Sequence, residues 1–455
     1  MRRRTFLGGV AGVAGASLAA VGYRSTATQT SSYEPLGSVE VAGAKEAVVG
    51  PDGETAFLAV TDGFATVDVS DPTTLSVLAE RRDLSTDGGE RLLREIWDVK
   101  VDGDRLAVAG PANPTRESVA HGVLLYDVRD PANPEKLAFH ETEFSIHNCD
   151  FVDGFVYLTG NNQRGNPLVI VDVRDDVPAE VGRWSMLDVN ERWSEVDWYL
   201  RWLHDVYVHD GMAYLAHWDA GTWLVDVSDP TNPQYVSYFG ARPLDELAAV
   251  PSEAVNAGVL GLPGNDHYTA VNDDGTLLGV GRESWSVDGE GGPGGVELWD
   301  VSDPASPQRR AYVEPPGSSG RGSSGKESNA LDFVGVAAAG GGLDALDDGL
   351  AHKGAGAACH DKCGRQRAED WTTAHNFDFA GDRLYTSWYQ GGVKIHDVSD
   401  PASPTELATW RDAENTSFWT AQRASDRFFV ASSIDYHADT RSALYAFPNR
   451  AAESS

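Results

Sequence analysis

Lysine is scarce in this sequence. There are seven against twenty-nine arginines, and 36 basic residues in all face 69 acidic ones, a formal net charge of −33. The deficit runs along the whole chain, as a solvated acidic surface does and an interaction tail does not. No basic stripe occurs beyond the first few residues, which sets nucleic-acid binding aside. Cysteine is nearly missing: Cys149, Cys359 and Cys363 are an odd count with one sequence-local pair, too few for a disulfide framework. No Gly-x-Ser-x-Gly elbow, phosphate loop or dinucleotide fingerprint stands in a supporting context, which disfavours common hydrolases, nucleotide enzymes and dehydrogenases. The one apolar run, Gly8 to about Val21, is short for a membrane span.

That run follows Arg2-Arg3-Arg4-Thr5-Phe6-Leu7 and precedes polar residues from Ser25, the order of an export signal. The pair Arg3-Arg4 before Thr-Phe-Leu resembles the twin-arginine signal, which carries folded proteins and implies an extracytoplasmic, secreted or cell-surface location. An ordinary secretion signal or an uncleaved anchor is the alternative. The crowded carboxylates resemble the surface of haloarchaeal proteins, where high salt screens their repulsion.

What the chain has in abundance is one phrase. It recurs as Val67-Asp68-Val69-Ser70-Asp71-Pro72, Tyr126-Asp127-Val128-Arg129-Asp130-Pro131, Val171-Asp172-Val173-Arg174-Asp175, Val225-Asp226-Val227-Ser228-Asp229-Pro230, Trp299-Asp300-Val301-Ser302-Asp303-Pro304 and His396-Asp397-Val398-Ser399-Asp400-Pro401. Leu444-Tyr445-Ala446-Phe447-Pro448 is a degraded seventh copy. Each unit reads as four short strands with Gly, Asp and Pro punctuation, the pattern of a propeller blade. Successive copies lie 59, 45, 54, 74 and 97 residues apart, so the excess over the shortest interval is loop insertion. The isolated strand Leu36 to Val41 is expected to complete blade seven and close the ring, leaving no open sheet edge. The expected fold is an all-β, seven-bladed propeller of four-stranded blades over 36–450. Residues 1–30 form the export signal and linker, 314–373 a long, partly flexible insertion between blades five and six, and 451–455 a tail.

Leu168-Val169-Ile170-Val171-Asp172 spells the signature of LVIVD repeats, and the chain resembles that family over about residues 36 to 450. The resemblance implies an exported or surface propeller and says little about chemistry.

The insertions fall between blades (83–95, 185–202, 241–266, 314–373) or between second and third strands (111–121, 283–295), which in a propeller share one face. That face is expected to carry function. Trp184, Trp193, Trp198 and Trp202, mixed with Glu191, Glu195 and Asp197, suit either a lid for a glycan or cation or a short helix packing Trp onto the propeller. No pair of catalytic carboxylates at a predictable separation supports glycan chemistry. Cys359-His360-Asp361-Lys362-Cys363 could be a local disulfide, two free thiols or, least expected, a metal site.

Aligned on their Gly/Asp turns, four consecutive blades begin with histidine: His147, His204, His267 and His375. Trp97 and Trp419 take that place in blades two and seven, and Lys45 or Glu46 in blade one. First strands line the channel, so four imidazoles could converge on zinc, copper or iron. Trp97, His217, Trp218, Asp219, Glu283, Tyr389 and Trp419 would then be surrounding or ligand-binding groups. The alternative is that each His bonds neighbouring backbone and ties blade to blade. Two functions follow: a binding or scaffold module acting through the loop-rich face on a protein, small molecule or glycan, or a metal-dependent enzyme, possibly an oxidoreductase.

Overall fold

A computed structural model describes residues 33–449, apart from 87–90, 116–117, 176, 241, 288–289, 318–370 and 436–439. Arg3, Arg4, the tail, and most of the 314–373 insertion with Cys359 and Cys363 lie outside the described residues.

Seven four-stranded antiparallel sheets surround a channel. Their first strands are Ala44–Val49, Asp98–Asp102, Cys149–Val152, Asp205–His209, Asp266–Val271, Phe377–Ala380 and Phe418–Arg423. Each touches the next, and the last touches the first. Closure is as expected: Gly37–Glu40 pairs with Ala443–Pro448, Gly37 opposite Ala446 and Glu40 opposite Ala443, so the N-terminal strand is the outer strand of blade seven. Among the described residues no helix is long and apolar enough to cross a membrane.

The repeated phrase is explained by two carboxylate turns in tandem. The first Asp accepts the amide two residues on, as Asp68 does from Ser70 at 2.9 Å and Asp226 from Ser228 at 2.9 Å. The Asp before Pro does the same, Asp71 from Thr73 at 3.0 Å and Asp229 from Thr231 at 3.1 Å. Each turn also docks on the preceding blade. Thr66 Oγ1 donates to Pro131 O at 2.6 Å and Ser237 Oγ to Pro304 O at 2.5 Å. A Cβ on Gly182 would lie 1.9 Å from Pro230 O, so only glycine admits that approach. Turns between first and second strands, on the same face as the Asp-Pro turns, are minimal. Asp153-Gly154 and Asp210-Gly211 are the whole connection between first and second strands, with positive φ at both residues of each pair, the backbone that tight hairpins require.

Side-chain carboxylates staple neighbouring blades through backbone amides. Asp98 accepts from Cys149 N at 2.8 Å, Asp150 from Val208 N at 2.7 Å, Asp205 from Thr269 N at 3.0 Å and Asp378 from Arg423 N at 2.9 Å. Apolar seams fill the space between sheets, for example Val48, Phe57 and Phe64 of blade one against Val99, Leu106 and Leu124 of blade two.

The tryptophan-rich segment follows the packing alternative. Met186–Val189 is a single helical turn capped by Ser185, and Glu191–Glu195 a 3-10 turn. Trp184, Trp193 and Trp202 are buried, and Trp184 and Trp193 pack on Trp223 of blade four with ring centroids 5.7 and 5.6 Å apart. Their indoles are core, and only Trp198 of the four is partly exposed.

Candidate functional site

The long connections share one face, where the first strands begin and where the repeat position of the histidines lies. Pairing between first and second strands skips Lys45 and Glu46, His267, and Trp419. Such bulges turn consecutive side chains toward the same side. Two layers result, one residue per blade in each.

The upper layer is Lys45, Trp97, His147, His204, His267, His375 and Trp419. Ring centroids follow one another around it: Trp97 to His147 at 5.3 Å, His147 to His204 at 4.2 Å, His204 to His267 at 3.6 Å, His267 to His375 at 4.9 Å, His375 to Trp419 at 4.0 Å and Trp419 back to Trp97 at 5.7 Å. Lys45 Nζ lies 5.9 Å from the Trp419 ring centroid. All four imidazoles are 2–4 % exposed.

Their Nδ1 atoms are engaged with oxygens. His147 Nδ1 meets Ala112 O at 2.9 Å, His204 Nδ1 meets His267 O at 2.7 Å, and His375 Nδ1 meets Trp419 O at 2.7 Å. His267 Nδ1 faces Glu283 Oε2 at 3.2 Å, without the alignment of a hydrogen bond. His267 Nε2 and His375 Nε2 are 3.2 Å apart. One ligand atom from each of His267, Glu283 and His375 can be chosen so that all lie within 4.8 Å of one another. Burial keeps the imidazoles neutral, lowering His147 to about 4 and His375 to about 3, with His204 and His267 also well below their usual value. Burial pushes Glu283 up to about 8, opposed by the hydrogen bond from the Tyr389 hydroxyl.

Of the surrounding groups expected, Trp97, Trp218, Glu283, Tyr389 and Trp419 are in place. Trp218 stacks on His204 at 5.8 Å, and Tyr389 meets His375 edge-on at 5.0 Å. His217 and Asp219 are engaged elsewhere, a correction to their expected role. His217 Nδ1 lies 3.2 Å from Arg201 O, beside Trp223, while Asp219 accepts Asn265 N at 3.0 Å and stands 3.4 Å from Arg242. Trp218 between them sits in a left-handed turn, φ 37°.

The lower layer was not anticipated. It holds Glu46, Asp98, Asn148, Asp205, Tyr268, Asn376 and Thr420, each one residue after the upper ring. Asn376 Nδ2 donates to Glu46 at 2.6 Å and Asn148 Nδ2 to Asp205 at 3.2 Å. Lys100 bonds Asp98 and stands 4.0 Å from Glu46. Burial works against its charge, but Asp98 and Glu46 hold it protonated. Its only sequence sign was a lysine, in a chain with few, three residues after the ring position Trp97.

The LVIVD repeat family model matches residues 52–80, 203–239 and 378–412, which lie in blades one, four and six. No curated protein matches the chain. Among solved structures it is similar to the Cps50 (Swd1) β-propeller domain of Myceliophteria thermophila, at 8% identity over 91% of this chain and 99% of that one, TM-score 0.56. It is also similar to the RRP9 WD40 repeats, at 11% identity over 92% and 97%, TM-score 0.55. A chain of the mitotic checkpoint complex matches at 10% identity over 97% and 100%, TM-score 0.52. At such identities the likeness shows the fold alone. The chain is a seven-bladed β-propeller that carries LVIVD repeats in blades one, four and six.

Proposed function

We propose that the protein is an exported, cell-surface binding module that engages its ligand or partner through the loop-bearing face. The observation that supports this reading is the asymmetry between faces: connections such as 240–265 and 185–204 stand on one, and two-residue turns such as Asp153-Gly154 on the other. Loops on a rigid scaffold are where propellers and similar folds place recognition. The acidic surface favours a partner that is cationic or tolerant of high salt over nucleic acid or anionic lipid. A glycan ligand draws less support, because Trp184, Trp193 and Trp202 are core. A second reading, a metal-dependent enzyme of the oxidoreductase kind, is favoured by the cluster of His267, Glu283 and His375 within the ring of imidazoles.

Charge reversal tests the first reading. In cells that express the full chain, partners cross-linked in the envelope fraction are identified, and binding is remeasured with purified components. Asp245→Arg and Glu253→Arg on the loop face are expected to weaken it at least about tenfold, and Asp71→Arg and Asp400→Arg on the opposite face to leave it unchanged. The reverse pattern would overturn the reading. Export is tested by Arg3→Lys with Arg4→Lys, which should retain the precursor inside the cell.

A further inference from the structure

We propose that the channel mouth holds one transition-metal ion on the Nε2 atoms of His267 and His375, with Glu283 as the carboxylate that orients His267 and with His147 and His204 drawn in as the ion enters. This deepens the second, metal-dependent reading above and is independent of the partner-binding one.

The hydrogen bonds carry the argument. A neutral imidazole has one N–H, so a ring whose Nδ1 donates to a carbonyl presents a bare lone pair at Nε2. His147, His204 and His375 are all in that state, anchored on Ala112 O, His267 O and Trp419 O. Metal-bound histidines are held in this way, the second nitrogen tied to a carbonyl or carboxylate that sets tautomer and ring angle. Tying blade to blade needs only the Nδ1 bonds. His267 differs from the other three: its Nε2 stands 3.2 Å from the bare Nε2 of His375 and can donate to it while the site is empty, its Nδ1 faces a carboxylate, and an ion replacing that proton would take both Nε2 lone pairs.

The spacing fits. Two nitrogens on one ion at about 2.0–2.1 Å stand about 2.9 Å apart at a right angle and about 3.4 Å apart at the tetrahedral angle. His267 Nε2 and His375 Nε2, at 3.2 Å, fall between these limits. His204 and His267 stack more closely, at 3.6 Å between centroids, than two rings on one ion, so entry of the ion parts that pair by about 1 Å. His267 and His375 are therefore the core of the site, and His147 and His204 close it.

An all-imidazole donor set selects zinc, copper, iron or nickel over magnesium or calcium.

The test uses the full-length protein, stripped with a chelator in high salt and titrated with Zn(II), Cu(II) and Co(II). Bound metal is read by elemental mass spectrometry, and Co(II) also by its visible absorption. The expected result is about one ion per chain, with His267→Ala and His375→Ala each weakening binding at least about 100-fold. His217→Ala, a buried histidine outside the ring, should bind like the wild type. Thermal melts of the metal-free forms establish that each variant is folded, and His375→Gln replaces His375→Ala if the latter is not. A folded wild type that binds less than about a tenth of an equivalent of every metal overturns the proposal, as does full stoichiometry in the folded His267→Ala and His375→Gln variants.

Discussion

His267 and His375 are separated by 108 residues of chain, yet their Nε2 atoms stand 3.2 Å apart. Two first strands from adjacent blades bring them together, although the 314–373 insertion lies between those blades in sequence. The Glu283 carboxylate closes the arrangement from the far side of His267 and is held by the Tyr389 hydroxyl.

Removing that orienting pair should cost affinity without abolishing binding. Glu283→Gln is expected to weaken metal binding by about 10–100-fold, and Tyr389→Phe by less, because Tyr389 acts on Glu283 and not on the imidazole. Competition with a chromophoric chelator measures both.

Deleting the residues before Val41 should destabilise the whole ring. It unpairs four residues of the strand Ala443–Pro448 and exposes that edge. At about 1 kcal/mol per hydrogen bond the loss is on the order of a few kcal/mol, with aggregation through the open edge. Chemical denaturation and light scattering check this.

Trp193→Ala should cost about 3–5 kcal/mol of stability, the penalty of a large core truncation. Trp193 is 2 % exposed and packs on Trp223 and Tyr238. Unchanged stability in urea titration would return this segment to the role of a lid.

Stability should fall as pH rises through about 6 because of Asp150. Burial raises its carboxyl from 3.8 to about 6, against the amides of Val208 and Phe151 that favour its charge. A raised folded-state pKa means that its contribution is fully present below the unfolded value and is lost as pH rises through the folded one, a swing of about 2–3 kcal/mol. Asp150→Asn should flatten that part of the melting-temperature profile between pH 4 and pH 7.

Much of this was legible in the chain because blades repeat their turn chemistry. Asp68 and Asp71 cap the same amides in blade one that Asp226 and Asp229 cap in blade four, and the Gly/Asp turns between first and second strands, such as Asp153-Gly154 and Asp210-Gly211, aligned the histidines that precede them. His217 and Asp219 were misassigned because sequence adjacency to Trp218 says nothing about a turn at φ 37°. The tryptophans at 184–202 were ambiguous, since an indole serves a core or a lid equally well until its neighbours are known. Lys100 and the carboxylates around it were missed because burial of a charge depends on partners from other blades.

By itself the sequence determined the seven units, their four strands, the closing N-terminal strand and the column of four histidines, all consequences of local period and turn preference. Only the tertiary structure decided that the column becomes a cluster. Whether imidazoles one blade apart meet or splay depends on the ring's radius and on the bulges at its mouth, and both are set by how seven sheets pack around a common axis.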